Sequence, residues 1–474
     1  MSSEAPGIVV HARRASSGRV KGQGLRTRAN SFALWASMLA VVVAPLPLGS
    51  ARPLAWGFWG IYLGLVLTIY AVLILRSRQA LRVGLSGFKL PLALFVALLV
   101  WLVIQIVPLG SIFGGFPIEG MAGVVAQANT ISVDPSSTIL MFVRQCSYGV
   151  LFFLVLQVAA NPRRRELAIN ILLFSCLGYA LFGIVALNTG DWILGLAKWA
   201  YQGSATGPFV NRNSFATFLA FGCVIAASRL ARHVADRLER HYDDGPIRNS
   251  NSTIVFYGIA LLFLLATIVA TQSRMGFAAA LSGAFVAILA TATRSRRALP
   301  IVLGGTLVAA MVTVAALTLF GEALFERFGT VERSALVRTD LYQQVIELIS
   351  LRPLLGYGGG TFELAFPLVH QLPVNLDLIW DKAHNSYLAL WSELGLLGGS
   401  LPVLIVACLL WRTLTAPYGS NTDWRSRCML FGVVTVAAVH SLVDFSLEIQ
   451  ANAMLFAALL ALGMPTAPDK TATS

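Results

Sequence analysis

Residues 252–293 read STIVFYGIALLFLLATIVATQSRMGFAAALSGAFVAILATAT. Two apolar runs, 252–271 and 275–293, are separated by the polar stretch Thr-Gln-Ser-Arg at 271–274. Each is close to the ~20 residues a helix needs to cross a bilayer, and neither carries a charge. They read as consecutive membrane spans joined by a very short turn, with Arg274 at the outer end of the first.

The rest of the chain repeats the pattern. Further apolar runs lie near 32–50, 54–75, 88–108, 139–160, 166–187, 208–229, 299–319, 385–411, 428–447 and 452–466. Composition agrees: 57% of the residues are hydrophobic and 12% charged, half the roughly 25% charge of a soluble domain. So little polar surface cannot coat a water-soluble globule of 474 residues. The expected fold is therefore an all-α polytopic membrane protein with about twelve transmembrane helices.

Arginine placement orients the spans. Cytoplasmic connections of membrane proteins collect Lys and Arg. Arg76, Arg78 and Arg82 follow the second run, and Arg163, Arg164 and Arg165 the fourth. Arg229, Arg232, Arg237, Arg240 and Arg248 follow the sixth, Arg294, Arg296 and Arg297 the eighth, and Arg412, Arg425 and Arg427 the tenth. Between them, 109–138 has no Lys or Arg and 188–207 only Lys198. This alternation predicts an inner-membrane protein with both termini in the cytoplasm. It also explains the net charge of +13 without nucleic acid, for which there is no aromatic-plus-basic surface pattern.

The expected organisation is a disordered basic tail over 1–31, nine spans within 32–319, a periplasmic loop over 320–384, three spans within 385–466 and a short tail over 467–474. The first segment lacks the cleavage site of a secretory signal. The five cysteines form no CxxC pair and read as buried apolar residues.

The long loop carries charges of both signs. Leu341, Val345, Leu348 and Ile349 recur at helical spacing, which predicts an amphipathic helix over 338–351 along the outer interface. Pro353 stops it, and Gly356, Gly358, Gly359 and Gly360 predict a tight, backbone-exposing turn.

Charged groups in a membrane are costly and ask for a reason. Arg274 reads either as a helix-ending, snorkelling arginine or as an anion ligand on a face otherwise poor in cations. Arg212 stands in Gly-Pro-Phe-Val-Asn-Arg-Asn-Ser (207–214), where Gly207 and Pro208 are expected to open a helix. Its flanking Asn211 and Asn213 suit capping and, with the free N–H groups of a helix start, a phosphate. Arg338 offers a planar fork that binds phosphate in bidentate fashion.

His384, in Lys-Ala-His-Asn-Ser-Tyr (382–387), stands where the tenth run begins. Asn385 or Ser386 caps that helix, and its N-terminus disfavours imidazolium. A neutral imidazole there can accept a proton from a sugar hydroxyl; an interfacial histidine with a hydrogen-bonding role is the alternative. His440, Asp444 and Glu448 fall at i, i+4 and i+8 on the eleventh run. A buried His–Asp pair, or a partner for one of the arginines, is favoured over a metal site, whose ligand set would be denser. No Walker loop, GxSxG or HExxH is present.

Three elements together resemble the superfamily of O-antigen ligases and Wzy-type polysaccharide polymerases. They are Thr-Gln-Ser-Arg (271–274), Arg338 with Arg-Pro-Leu-Leu-Gly-Tyr-Gly-Gly-Gly-Thr-Phe (352–362), and His-Asn-Ser-Tyr-Leu with Glu393-Leu394-Gly395 (384–395). Asn-Arg-Asn (211–213) fits more loosely, and the resemblance runs from 205 to 450. It implies a GT-C-type membrane glycosyltransferase that uses a glycan on undecaprenyl pyrophosphate at the periplasmic face, inverts the anomeric centre and needs no metal or cofactor. Ligases transfer to lipid A core, polymerases to another lipid-linked repeat, and polysaccharide assembly proteins are the expected partners. Carried over, Arg274 and Arg338, with Arg212 through the looser match, hold the pyrophosphate, and His384 activates the acceptor. The competing reading is a solute carrier of bicarbonate type. Against it, the polar residues gather at the outer edge rather than near the midplane, where transporters place them.

Overall fold

The computed structural model describes residues 7–120, 123, 125–240, 250–293, 300, 337–416 and 421–465. The predicted ninth span, the loop to residue 336 and the C-terminal tail lie outside these residues. Eight described helices are long and apolar enough to cross a membrane. In chain order the long helices are α1 (Gly7–Val43), α2 (Pro53–Ser77), α3 (Lys89–Ile106), α4 (Pro135–Ala159), α5 (Pro162–Asn188), α6 (Arg212–Arg240), α7 (Ser250–Ala270) and α8 (Arg274–Ala292). Then follow α9, helical over 337–351, α10 (Ser386–Thr415), α11 (Asn421–Ser441) and α12 (Gln450–Gly463).

Two expectations are corrected. The basic tail read as disordered is helical from Gly7 and continuous with the first span; no proline interrupts residues 7–43. The described fold is mostly helical, consistent with the expected all-α membrane protein; two short antiparallel hairpins, Phe116–Glu119 with Val125–Ala128 and Trp192–Ile193 with Leu196–Ala197, lie in its connections. The eleventh helix stops at Ser441 rather than running to 447.

α6 lies at the centre, with 89% of its apolar stretch buried, and α12 is buried beside it. The surrounding helices turn apolar side chains outward, such as Leu65 and Leu75 on α2 and Ile259 and Leu262 on α7. That is the pattern of a surface solvated by lipid. At one end of the bundle Glu166 of α5 pairs with Arg229 and Arg232 of α6, and Asp236 with Arg425 of α11. This is the arginine-rich end expected from charge alternation.

The helix over 337–351 matches the sequence spacing, but its apolar stripe does not face lipid. Leu341, Val345, Leu348 and Ile349 are buried in a small core with Tyr357, Phe366, Val374 and Leu388. The loop thus has an interior of its own, packed on the first turn of α10.

The glycine run does not expose backbone as expected: Gly356, Gly358 and Gly359 are buried. It fills the break in α10, where Gly395 has φ 72° and ψ 168°. Helix hydrogen bonds lost there are replaced by Tyr357 N–H to Ser392 O (3.0 Å), Gly358 N–H to Glu393 O (2.8 Å) and Leu396 N–H to Pro353 O (2.7 Å). The Gln105 amide also donates to Glu393 O at 3.0 Å. A helix can break at membrane depth only where such partners exist. A Cβ on Gly395 would sit 2.2 Å from Leu354 O, and its backbone region is essentially glycine-only, at about 1–3 kcal/mol for another residue. Gly395→Ala is expected to lower the thermal midpoint of purified protein and to cut its yield. An unchanged midpoint would contradict this account of the break.

Candidate functional site

Three helix starts converge opposite the arginine-rich end. Asn385 caps α10, its Oδ1 accepting from Tyr387 N–H (3.0 Å) and Leu388 N–H (3.1 Å). This fixes the residue before it, His384, in the left-handed region at φ 51°. α6 starts at Arg212, later than Gly207 and Pro208 suggested, because Asn211 caps it: Oδ1 accepts from Asn213 N–H at 2.7 Å. Gly207 and Pro208 instead lie in the turn before it. α8 starts at Arg274, capped by the Ser273 hydroxyl, which accepts from Gly276 N–H at 3.2 Å.

Asp444 joins these pieces. It is 1% exposed, and its Oδ1 lies 4.0 Å from His384 Nδ1 and accepts from the Asn213 amide at 3.2 Å. Its Oδ2 accepts from the Ser446 hydroxyl and lies 3.9 Å from His440 Nδ1. The His440 ring is held in turn by the Thr217 hydroxyl at 2.7 Å. Asn213, Asp444, His440 and His384, all singled out from sequence, therefore form one cluster. Glu448 does not share their face. α11 has ended, and Glu448 turns to Lys382 at 3.2 Å. The stripe weighed as a metal site is broken, and no metal-binding group of His, Cys, Asp or Glu gathers among the described residues.

The premature end of α11 is itself part of the site. Leu442 O, at that end, accepts from the Asn385 amide (2.9 Å) and the Tyr342 hydroxyl (3.4 Å). Tyr342 also donates to His384 O at 2.8 Å. The segment over 337–384 thus clamps the chain reversal that carries Asp444.

His384 is a quarter exposed at its side chain and packed edge-on against Phe445 and Trp380. Burial lowers its pKa from the ordinary value; Asp444 opposes this and Arg338 adds to it. The neutral ring expected from sequence follows mainly from desolvation rather than from the helix terminus. With Nδ1 turned toward Asp444, Nε2 is the atom left for a proton from outside.

Arg338 is half-buried, and its charge acts on Tyr201, Tyr342, His384 and His440. Arg212 stacks over Tyr201 with its guanidinium carbon 5.5 Å from the ring centre. It also donates to Gln272 Oε1 at 3.4 Å, two residues from Arg274. Arg274 is exposed, at the start of a helix whose Gly276 lies against Ala216 of α6. Arg212 thus packs on Tyr201, where the Arg338 charge is also felt, and among the described residues Arg274 is tied to Arg212 through the turn it shares with Gln272. Tyr201 and Tyr342 gave no sequence signal, since nothing in their spacing marks them.

Residues 259–403 match the model of the O-antigen ligase family, Wzy_C. The match covers less than half of the chain, and over it the chain is similar to that family. The matched segment holds Arg274, Arg338, His384 and Asn385; Arg212, Asn213, His440 and Asp444 lie outside it and join through the fold. No curated protein matches the chain. The eight long apolar helices make this a multi-pass membrane protein, and its segment 259–403 is similar to O-antigen ligases.

Proposed function

We propose that this O-antigen ligase relative transfers a glycan from undecaprenyl pyrophosphate to an acceptor hydroxyl at the periplasmic face, as an O-antigen ligase or as a polysaccharide polymerase. The observation that carries the reading is His384 at the mouth of α10, beside buried Asp444 and within reach of the Arg338 charge, inside the family-matched segment. Nothing in the fold or the match favours the solute carrier.

In this reading the acceptor oxygen attacks the anomeric carbon as the bond to the pyrophosphate oxygen breaks. The proton passes to His384 Nε2, and Asp444 stabilises the imidazolium that forms. The leaving pyrophosphate keeps the electron pair. Fixed guanidinium groups in a partly dry cleft stabilise that charge without reorganising, and their forks fit phosphate oxygens. Attack from the face opposite the leaving group inverts the centre, and apolar helix faces accept the prenyl chain. The purified enzyme, a lipid-linked oligosaccharide and an acceptor, with the product's anomeric configuration read by NMR, test the reaction; a retained configuration would exclude it.

The pH profile follows from His384. The base acts only when neutral, so activity falls as pH falls through its pKa. Since burial lowers that pKa from about 6.5, kcat is expected to stay level down to that value and decline only below it. An inflection above pH 7 (roughly half a unit over the unperturbed value) would assign the titration to another group.

A further inference from the structure

A second group of charges lies next to the first. Lys382, two residues before His384, reaches Glu448 Oε2 at 3.2 Å. Glu448 and Glu393 hold the Lys382 pKa above its ordinary value against burial, which alone would lower it. Arg144 of α4 donates to the main-chain oxygen of Glu448 and to the Tyr148 hydroxyl at 3.3 Å. Its guanidinium carbon lies 4.5 Å over the ring of Trp56 at the start of α2. Glu448 is four residues from Asp444, so their Cα atoms are at most roughly 14 Å apart.

We propose that Trp56, Arg144, Lys382 and Glu448 form the subsite for the acceptor saccharide, an assignment that rests on the transfer reaction proposed above. An inverting displacement needs the acceptor oxygen on the side of the anomeric carbon opposite the pyrophosphate. The acceptor must therefore bind beside the base but apart from the arginines that hold the leaving group. Arg212 packs on Tyr201, whereas Lys382 and Arg144 both contact Glu448.

The chemistry also suits a sugar. Arg144 sits in a membrane-spanning helix, and among the described residues no carboxylate lies within ion-pair distance of it. Such a cation is a functional candidate by default. Among the described residues the buried Glu448 Oε1 has no hydrogen-bond partner, an acceptor suited to a hydroxyl donor. Arg144 and Lys382 supply only donors, and the Trp56 indole offers an apolar face to sugar C–H groups. Together they match a polyhydroxylated ligand.

The test uses the full chain in lipid nanodiscs, with two soluble probes: delipidated lipopolysaccharide core oligosaccharide and a delipidated glycan repeat. Binding is measured without donor, and transfer kinetics with the corresponding full acceptors. Loss of one hydrogen bond to a charged group is worth about tenfold or more in affinity. Glu448→Gln and Trp56→Ala are thus expected to raise the probe Kd and the acceptor KM about tenfold, leaving the donor KM unchanged. Trp56→Tyr should recover most of the loss. A raised donor KM with an unchanged acceptor KM would move the cluster to the lipid phosphate and overturn the proposal. So would a fall in melting temperature and kcat with both KM values intact and Trp56→Tyr no better than Trp56→Ala. If the wild type transfers and the variants match it, the subsite alone is wrong; if the wild type binds a probe but transfers nothing, the reaction is wrong. Which probe binds also separates ligase from polymerase.

Discussion

His384→Ala and His384→Asn are both expected to lower transfer by about 10²–10⁴-fold, the usual contribution of a general base, while donor binding persists. Two variants are needed because of the backbone. His384 has φ 51°, a region that costs most residues roughly 1–2 kcal/mol. Alanine could then move the peptide whose carbonyl accepts from Tyr342. Asparagine tolerates this region, so it keeps the Asn385 cap and the Tyr342 clamp while removing the basic nitrogen. If His384→Asn retains more than about a tenth of the activity, the imidazole positions substrate and is not the base. If either variant loses donor binding but transfers normally at saturating donor, His384 belongs to the anion site. The measurements are single-turnover transfer and separate binding of the lipid-linked donor.

The cluster was legible in part, and the parts missed share a cause. Apolar runs of about 20 residues name their own spans, and Leu341, Val345, Leu348 and Ile349 marked a helix by spacing alone. Asn385 marked a cap because its side chain satisfies nearby N–H groups. These are local signals. The end of α11 carries none: Ser441, Leu442 and Val443 could continue a helix, and residues 428–447 read as one apolar run. It stops because Asn385 and Tyr342 capture Leu442 O and Asn213 captures Asp444. These partners are 57, 100 and 231 residues away in sequence. For the same reason the glycine run was misread. Alone, four glycines in five residues suggest exposed backbone; their use here is to let one loop approach a broken helix closely. Tyr201 and Arg144 were passed over because their positions carry meaning only once α2, α4 and α6 are assembled.

Arg338→Lys is expected to lose most of the transfer rate even though the charge remains. A fixed donor aimed at developing negative charge is worth about 2.7–4 kcal/mol, or 10²–10³ in kcat. An ammonium cannot reproduce the planar fork that grips two phosphate oxygens. Arg338 suits this role: it is half-buried, and its charge acts on the base His384 and on Tyr201, over which Arg212 stacks. Arg274 differs, because it is exposed and, among the described residues, tied to Arg212 through the Gln272 turn. A double-mutant cycle decides its place. Two arginines on one pyrophosphate share a partner, so Arg338→Ala and Arg274→Ala should be non-additive by at least about 0.5 kcal/mol in transition-state free energy. Strict additivity would place Arg274 outside the donor site, as a cation that ends its helix at the lipid surface. A normal rate for Arg338→Lys would mean that charge alone suffices there. The leaving group would then be stabilised by the field of the cleft rather than by a fork, and transfer should weaken steeply with salt, since exposed charges decouple beyond about 8 Å at physiological ionic strength.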